Sequence, residues 1–451
     1  MFIRFILLEM GFMKKVKRKI KDNEMFFIIV IILLICSLLI FVLFKSFDFK
    51  QLTGAELFAF NAMKIYMLFL FIRLVFHLLL SFANKFFAKE VGKIDYYPLV
   101  TVIMPCYNED KVVNNAAKSI LGMDYPNIEI LIVDDGSTDE TIEAIALLEK
   151  KGKIRAIHQE NAGKAEALNR AISEAHGDFV LCMDADSVLN TEALKIGMKY
   201  FESDERIAAV AGSVEIGNVK NMITSFQKLE YVSGLNLFKT AQSFLNSVIV
   251  IPGPIGIFRK SILQEVGGYR SNTFAEDCEL TIRLLMAGYK TVYDGGLIAV
   301  TEAPEDFNSL ISQRYRWTRG IVQAIRENLI WLIKPHKSIK NFLIILYMII
   351  ESVFIPIANF SFGIFSIAHT LINNSHNFVG YFFYQLVVLD MTVTLFCVVS
   401  EQRSFNLIFY SAINRVTYGF SMEVIKFFSI LDEFLQLPMT WSKLERKGMD
   451  L

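Results

Sequence analysis

Short polar clusters interrupt an otherwise oily chain, and their side chains are ones that chemistry uses. MDAD supplies Asp184 and Asp186, two carboxylates two positions apart. In extended backbone such residues face one side, where they repel unless a cation lies between them. Oxygen ligands with positions left open for water or phosphate are the pattern of Mg2+ or Mn2+. An Asx-turn is the plainer explanation of the same residues. DDGSTDE, Asp134 to Glu140, sets two adjacent aspartates before Gly136. A tight turn accounts for the glycine, and a helix cap for Ser137 or Thr138. The turn alone does not ask for both aspartates, whereas a ligand offering N–H and hydroxyl donors does. The recurrence of MDAD after DDG favours the metal.

Other clusters add a cation, an acid pair and an anion grip. PCYNED closes with Tyr107, Asn108 and Glu109, and Asn108 is equally suited to cap a helix. In NAGKAEALN, Lys164 opens a helical pattern, the wrong sign for the helix dipole. A phosphate held by both the lysine and the helix N-terminus offsets that sign, and a plain solvated lysine competes with this reading. AEDCELTIRLLMAGY, from Ala275 to Tyr289, is an amphipathic helix opening on Glu276 and Asp277. Acids are ordinary in a first helical turn, and the functional alternative is one carboxylate serving as a general base. QRYRW, Gln313 to Trp317, interleaves two arginines with two aromatic rings and asks for a ligand with both an anion and a ring. Ile321, Ile325 and Leu329 after it form one apolar face, as in a helix lying on a membrane surface or packed against membrane spans.

The elements that position these clusters alternate in type. LVTVIMP (99–105), IEILIVDD (128–135), KIRAIHQ (153–159), DFVLCMDAD (178–186) and IAAVAGSVEI (207–216) are apolar runs of strand length. Near-continuous apolar character suits parallel strands covered on both faces. Helical patterns lie between them, as over Glu109 to Leu121 and Lys164 to Ala175. This is the spacing of βαβ units in a doubly wound, mostly parallel α/β sheet. Ligands of such sheets bind at the carboxyl ends of strands, where the polar clusters fall.

That domain, residues 95–334, is inserted between apolar ends, 1–94 and 335–451. The 451 residues are 53% apolar and 20% charged, with 40 phenylalanines, too oily for one soluble domain. The uncharged run from Met25 to Phe44 has the roughly 20 residues that a helix needs to cross hydrocarbon. It follows the basic block Lys14 to Lys21, which prefers the cytoplasmic side. Further spans are expected over Leu57 to Phe82, Phe342 to Ile367 and Phe378 to Ser400, the last two joined by HTLINNSHN. Phe405 to Leu431, with Arg415, Glu423 and Lys426, either crosses, re-enters or lies along the interface. Glu351 and Asp390 inside spans are candidates for lining a path or for pairing with Arg73 or Lys64. Formal net charge is zero, so no global field argues for nucleic acid. Five cysteines, at 36, 106, 182, 278 and 397, lack metal-site spacing and read as free thiols.

DDG, DAD, ED before a helix, and QxxRW, in this order between apolar ends, resemble the membrane-bound processive glycosyltransferases of family 2. That GT-A-fold group includes cellulose, chitin, hyaluronan and poly-N-acetylglucosamine synthases. The resemblance implies a GT-A domain inserted between N- and C-terminal transmembrane helices, in the plasma membrane with catalysis on the cytoplasmic side. It implies that Tyr107, Glu109, Asp134 and Asp135 bind the uridine and that Lys164 lies near the diphosphate. Asp184 also contacts the donor, and Asp184 with Asp186 holds Mg2+ or Mn2+. Asp277 is the implied catalytic base, and Glu276, Gln313 and Trp317 border the acceptor. Arg316 grips the diphosphate, and Arg314 is left for a membrane phosphate or an acidic neighbour. One departure is Ala275, where the family has a threonine; another is PGPIG (252–256) at the acceptor mouth.

The activity so implied is inverting transfer from a UDP-sugar, N-acetylglucosamine as the best guess, to a growing β-linked polysaccharide exported through the bilayer. A non-processive enzyme adding one sugar to a lipid-linked or cell-surface acceptor is the alternative. Some polysaccharide synthases also require a small membrane subunit.

Overall fold

The computed structural model describes residues 54–88, 96–334 and 338–439, apart from 153 and 402, with the single positions 52, 92, 336 and 448. The Met25 to Phe44 span and its basic block lie outside the described residues. Apolar runs without a polar face become central strands, because both sides of each can be covered. β1 (Val100–Cys106) and β2 (Ile128–Asp135) show the consequence. Val100, Val102, Met104, Ile130 and Ile132 enter one core, while Ile103, Leu131 and Val133 enter the core on the opposite face. The two-residue side-chain period of a strand produces this division.

The remaining strands are β3 (Arg155–Gln159), β4 (Phe179–Cys182), β5 (Ser187–Leu189), β6 (Ile207–Ile216), β7 (Gly256–Arg259) and β8 (Lys290–Thr301). They form one sheet in the order β3-β2-β1-β4-β7-β6-β8-β5. β3, β2, β1 and β4 pair in parallel, as do β6 and β8. β7 runs antiparallel to both β4 and β6, and β5 is antiparallel to β8. The sheet is therefore mixed, with its parallel half where the βαβ spacing is clearest. β5, β7 and β8 escape the sequence reading for physical reasons. Two are too short for a periodic signal, and DGG interrupts the third where β6 and β8 shift register.

Among the described residues three helices are long and apolar enough to cross a membrane: Gly54–Phe87, Ile339–Asn373 and Asn377–Ser400. The first has 34 residues, about 51 Å at 1.5 Å per residue, well beyond a ~30 Å hydrocarbon layer. HTLINNSHN is mostly helical, and the connection shrinks to 374–376, where Asn374 adopts left-handed φ 47°. Several charges inside the spans are paired, while Lys64 lies over the Phe60 ring at 5.1 Å. Arg73 makes a two-point contact with Glu351, and His77 bonds Tyr347 Oη at 3.0 Å. Asp390 accepts from Arg415 Nη2 at 2.7 Å and Nε at 2.9 Å. The helical stretch holding Arg415 runs through Asn406–Asn414, the π-helical Arg415–Gly419 and Phe420–Phe434. A third core packs Met63, Met67, Phe378 and Phe382 of the spans with Leu229, Val232 and Leu237 from beyond β6, fastening the sheet domain to its membrane helices.

Candidate active site

The carboxyl ends of β1 and β2 are laced together by the loops that follow them. Asn108, at φ 54°, receives the Thr138 N–H at 2.7 Å and gives its own N–H to Ser137 Oγ at 2.9 Å. The next helix starts only at Val113, so Asn108 joins two loops instead of capping a helix. Tyr107 and Glu109 stand half-buried on either side of it. Asp134 accepts from the Ser137 N–H at 3.2 Å and lies 3.5 Å from His158 Nδ1. Asp135 accepts Gln159 Nε2 at 2.7 Å, the Ala162 N–H at 2.9 Å and the Gly163 N–H at 2.9 Å. Both aspartates are buried. The second one, which the turn did not explain, thus braces the loop that delivers Lys164. Gly136 is required there: its φ is +76°, and a Cβ would come 2.7 Å from Asn161 N.

Lys164 is the first residue of the helix Lys164–Glu174, and carboxylates offset its unfavourable place at the dipole. Its Nζ is 2.6 Å from Asp184 and 3.2 Å from Glu276. Asp277, beside Glu276 at the start of the helix Glu276–Met286, completes the cluster and binds the Cys278 N–H at 2.7 Å. Burial opposes the charge on Lys164, but Asp184, Glu276 and Asp277 outweigh it and hold the lysine above its ordinary pKa. Burial, reinforced by Glu276 and by Asp184, pushes the Asp277 carboxyl up to about 6, with Lys164 and the Cys278 N–H pulling the other way.

MDAD is a turn between β4 and β5, closed by the Ser187 N–H on the Asp184 carbonyl at 3.1 Å. The same-side argument from extended backbone therefore does not apply to this pair. Asp184 joins the Lys164 cluster, while Asp186 is buried and accepts from Ser187 Oγ at 3.0 Å and Thr301 Oγ1 at 3.3 Å. Among the described residues no three His, Cys, Asp or Glu side chains gather into a metal cage. A carboxylate site for Mg2+ or Mn2+ needs none, because phosphate and water oxygens complete the shell. Asp184 fits such a role. Its side chain is 27% exposed, and Gly253 leaves a cradle over it that a Cβ would fill, 3.0 Å from Oδ2 and 2.9 Å from Lys164 Nζ. Gly253 belongs to PGPIG, expected from the sequence at the acceptor mouth and found here against Asp184 and Lys164.

QRYRW lies in the helix Phe307–Glu327, and close packing brings that helix to the cluster. A Cβ on Gly320 would lie 2.5 Å from Ala275 N, so the helix touches the chain just before Glu276. Gln323 Oε1 accepts the Phe274 N–H at 3.1 Å across the same contact. Residues three and four apart share a helix face, so Arg316, Trp317 and Gln313 follow Gly320 along the stripe facing the site. Gln313 is buried, Arg316 is half-buried with no ion-pair partner among the described residues, and Trp317 packs against the sheet core. Tyr315 and Arg319 point elsewhere, donating to Asp432 at 2.6 Å and Glu433 at 2.9 Å. Arg314 finds the acidic neighbour, Glu230, at 2.8 Å. Ile325 and the half-buried Ile321 pack against Ile344, Ile345 and Met348, which settles the helix on a span. The sequence reading missed Glu230 and Gly320, since one acid or glycine in a mixed stretch carries no local pattern.

Residues 101–267 match the model of glycosyl transferase family 2. The poly-beta-1,6-N-acetyl-D-glucosamine synthase of Staphylococcus epidermidis is 31% identical over 239 residues, 53% of this chain and 58% of that protein. Its counterpart in Staphylococcus aureus (strain COL) is 31% identical over 228 residues, 50% of this chain and 55% of that one. The chain thus spans little more than half the length of the curated relatives it matches. A mannosyltransferase from Pyrobaculum calidifontis, solved in complex with GDP-Man and Mn2+, superposes with a TM-score of 0.54. It is 19% identical and covers 84% of this chain and 99% of its own, a likeness of fold.

Proposed function

We propose that the chain, whose residues 101–267 match glycosyl transferase family 2, is an inverting, processive polysaccharide synthase using a UDP-sugar. The best-supported donor is UDP-N-acetylglucosamine, the sugar named in the staphylococcal relatives. The observation that carries the reading is the meeting of Lys164, Asp184, Glu276 and Asp277 from three separate segments beside the QRYRW helix.

Tyr107, Glu109, Asp134 and Asp135 shape the uridine end of the donor site, Asp135 by bracing the loop before Lys164. Lys164 and Arg316 meet the diphosphate with charge-assisted hydrogen bonds. Asp184 and Asp186 are the residues that would hold Mg2+ or Mn2+, the metal that accompanies GDP-Man in the Pyrobaculum mannosyltransferase. The bound cation would neutralise charge on the departing diphosphate. Asp277 takes the proton of the acceptor hydroxyl as its oxygen bonds to C1, and the C1–O bond to phosphate breaks to release UDP. One base and no covalent partner invert the anomeric centre, so an α-linked donor gives a β-linkage. Glu276, Gln313 and Trp317 border the acceptor sugar.

In this reading residues 95–334 carry catalysis on the cytoplasmic side, the side that the basic block Lys14 to Lys21 favours. Residues 1–94 and 335–451 anchor that domain and escort the product across the bilayer. The test is to incubate the purified full chain with Mg2+ or Mn2+ and a panel of UDP-sugars. UDP release with a ladder of β-linked products is expected. Single addition would remove processivity, and no consumption of any sugar nucleotide would remove the reading itself.

A further inference from the structure

Arg314 is a charge buried at 3% exposure whose work the proposed chemistry does not explain. Burying a guanidinium is costly unless it is paired with good geometry. Here Nη1 donates to Gln313 Oε1 at 2.7 Å and Nη2 to Glu230 Oε2 at 2.8 Å, while the guanidinium carbon sits 4.2 Å from the centre of the Trp317 ring. The Glu230 carboxylate also accepts the Tyr418 hydroxyl at 2.6 Å. Arg314 therefore touches two residues assigned to the acceptor, Gln313 and Trp317, and is itself held from outside their helix.

Glu230 and Tyr418 both stand in π-helical segments, Glu230–Asn236 and Arg415–Gly419. A π-turn inserts a residue into a helix, re-aims the side chains after it and often marks a functional place. One segment joins the helices that follow β6; the other interrupts the charged helical stretch after the last apolar span. Phe226, in the helix Met222–Leu229 that leads into the first segment, stacks on Tyr418 of the second at 5.5 Å.

We propose that Glu230 and Arg314 are positioning residues for the acceptor, with Tyr418 holding Glu230 so that the C-terminal helical stretch sets how Trp317 and Gln313 meet the growing chain. The cation against one face of the indole fixes the ring plane. The bond to Gln313 Oε1 leaves the amide nitrogen as the donor that side chain offers. This inference rests on the synthase reading above, because only that reading makes Trp317 and Gln313 acceptor residues.

The test uses the full chain in nanodiscs, with Trp331→Phe and Trp441→Phe leaving Trp317 as the sole tryptophan. Glu230→Gln and Tyr418→Phe are compared with this background for donor KM, acceptor KM and Trp317 emission. β-Linked N-acetylglucosamine oligomers serve as the acceptor probe. Glu230→Gln is expected to raise acceptor KM about tenfold, because the groups that meet the acceptor lose their fixed orientation, and to change the emission. Donor KM should stay within about twofold, and Tyr418→Phe should shift both acceptor KM and emission less far. Unchanged acceptor KM, unchanged emission, or donor and acceptor KM rising together would each overturn the proposal. Tyr418→Phe decides alone if Glu230→Gln fails to fold. A background chain that consumes no sugar nucleotide condemns the synthase reading, and the emission arm then decides whether Glu230 orients Trp317.

Discussion

Asp277 concentrates the account at the scale of the residue. Burial and Glu276 outweigh Lys164 and push the Asp277 carboxyl up to about 6. In its proposed role as base Asp277 must be deprotonated, so kcat/KM should fall about tenfold per pH unit below about 6 and level off above it, read from initial rates at low substrate. Stability moves in the opposite sense. A carboxyl whose folded pKa exceeds its unfolded value loses stabilisation as pH rises between the two, and the cost is complete above the folded value. Asp277→Asn should therefore stabilise the metal-free protein at pH 7.5 by roughly 1–3 kcal/mol and hardly at all at pH 4, measured by thermal unfolding. Every titratable member of this cluster was visible in the sequence, because Lys164, Asp184, Glu276 and Asp277 each stand at an element boundary. Their partnership was not visible, nor was the bracing work of Asp135, since contacts 24 to 28 residues apart leave no local trace.

Gly320 sets the placement of a whole element. Gly→Ala inside a helix ordinarily stabilises by about 1 kcal/mol. At Gly320 the added Cβ meets Ala275 backbone and must push the QRYRW helix away from Glu276 and Asp277. Gly320→Ala is expected to lower kcat/KM by about ten- to a hundredfold while reducing thermal stability, the reverse of the helix-propensity sign. Element types were legible wherever periodicity ran long enough, as in β1, β2 and the Glu276–Met286 helix. MDAD was misjudged as extended because a four-residue strand ends before its aspartates. The π-helical segments were invisible, since one inserted residue barely disturbs a 3.6-residue pattern.

At the scale of the whole molecule, charged pairs tie the membrane helices to one another. Arg73 and Glu351, both half-buried, meet across two spans, so removing either partner leaves an unpaired charge between them. Arg73→Gln or Glu351→Gln is expected to cost about 3–5 kcal/mol in detergent, and the double variant Arg73→Met with Glu351→Leu to recover most of it. Apolar length announced the spans in the sequence, whereas the partner of each intramembrane charge emerged only from the packing. The sheet domain is held beside these helices by the apolar core that Leu229, Val232 and Leu237 share with Met63, Met67, Phe378 and Phe382. The most direct measurement is sugar incorporation per UDP released by the purified full chain, wild type against Asp277→Asn, with donor binding followed in parallel. One sugar per UDP in the wild type, and loss of about 10²–10⁴-fold in the variant with donor affinity retained, is the predicted result. Elongation by Asp277→Asn at the wild-type rate would contradict it.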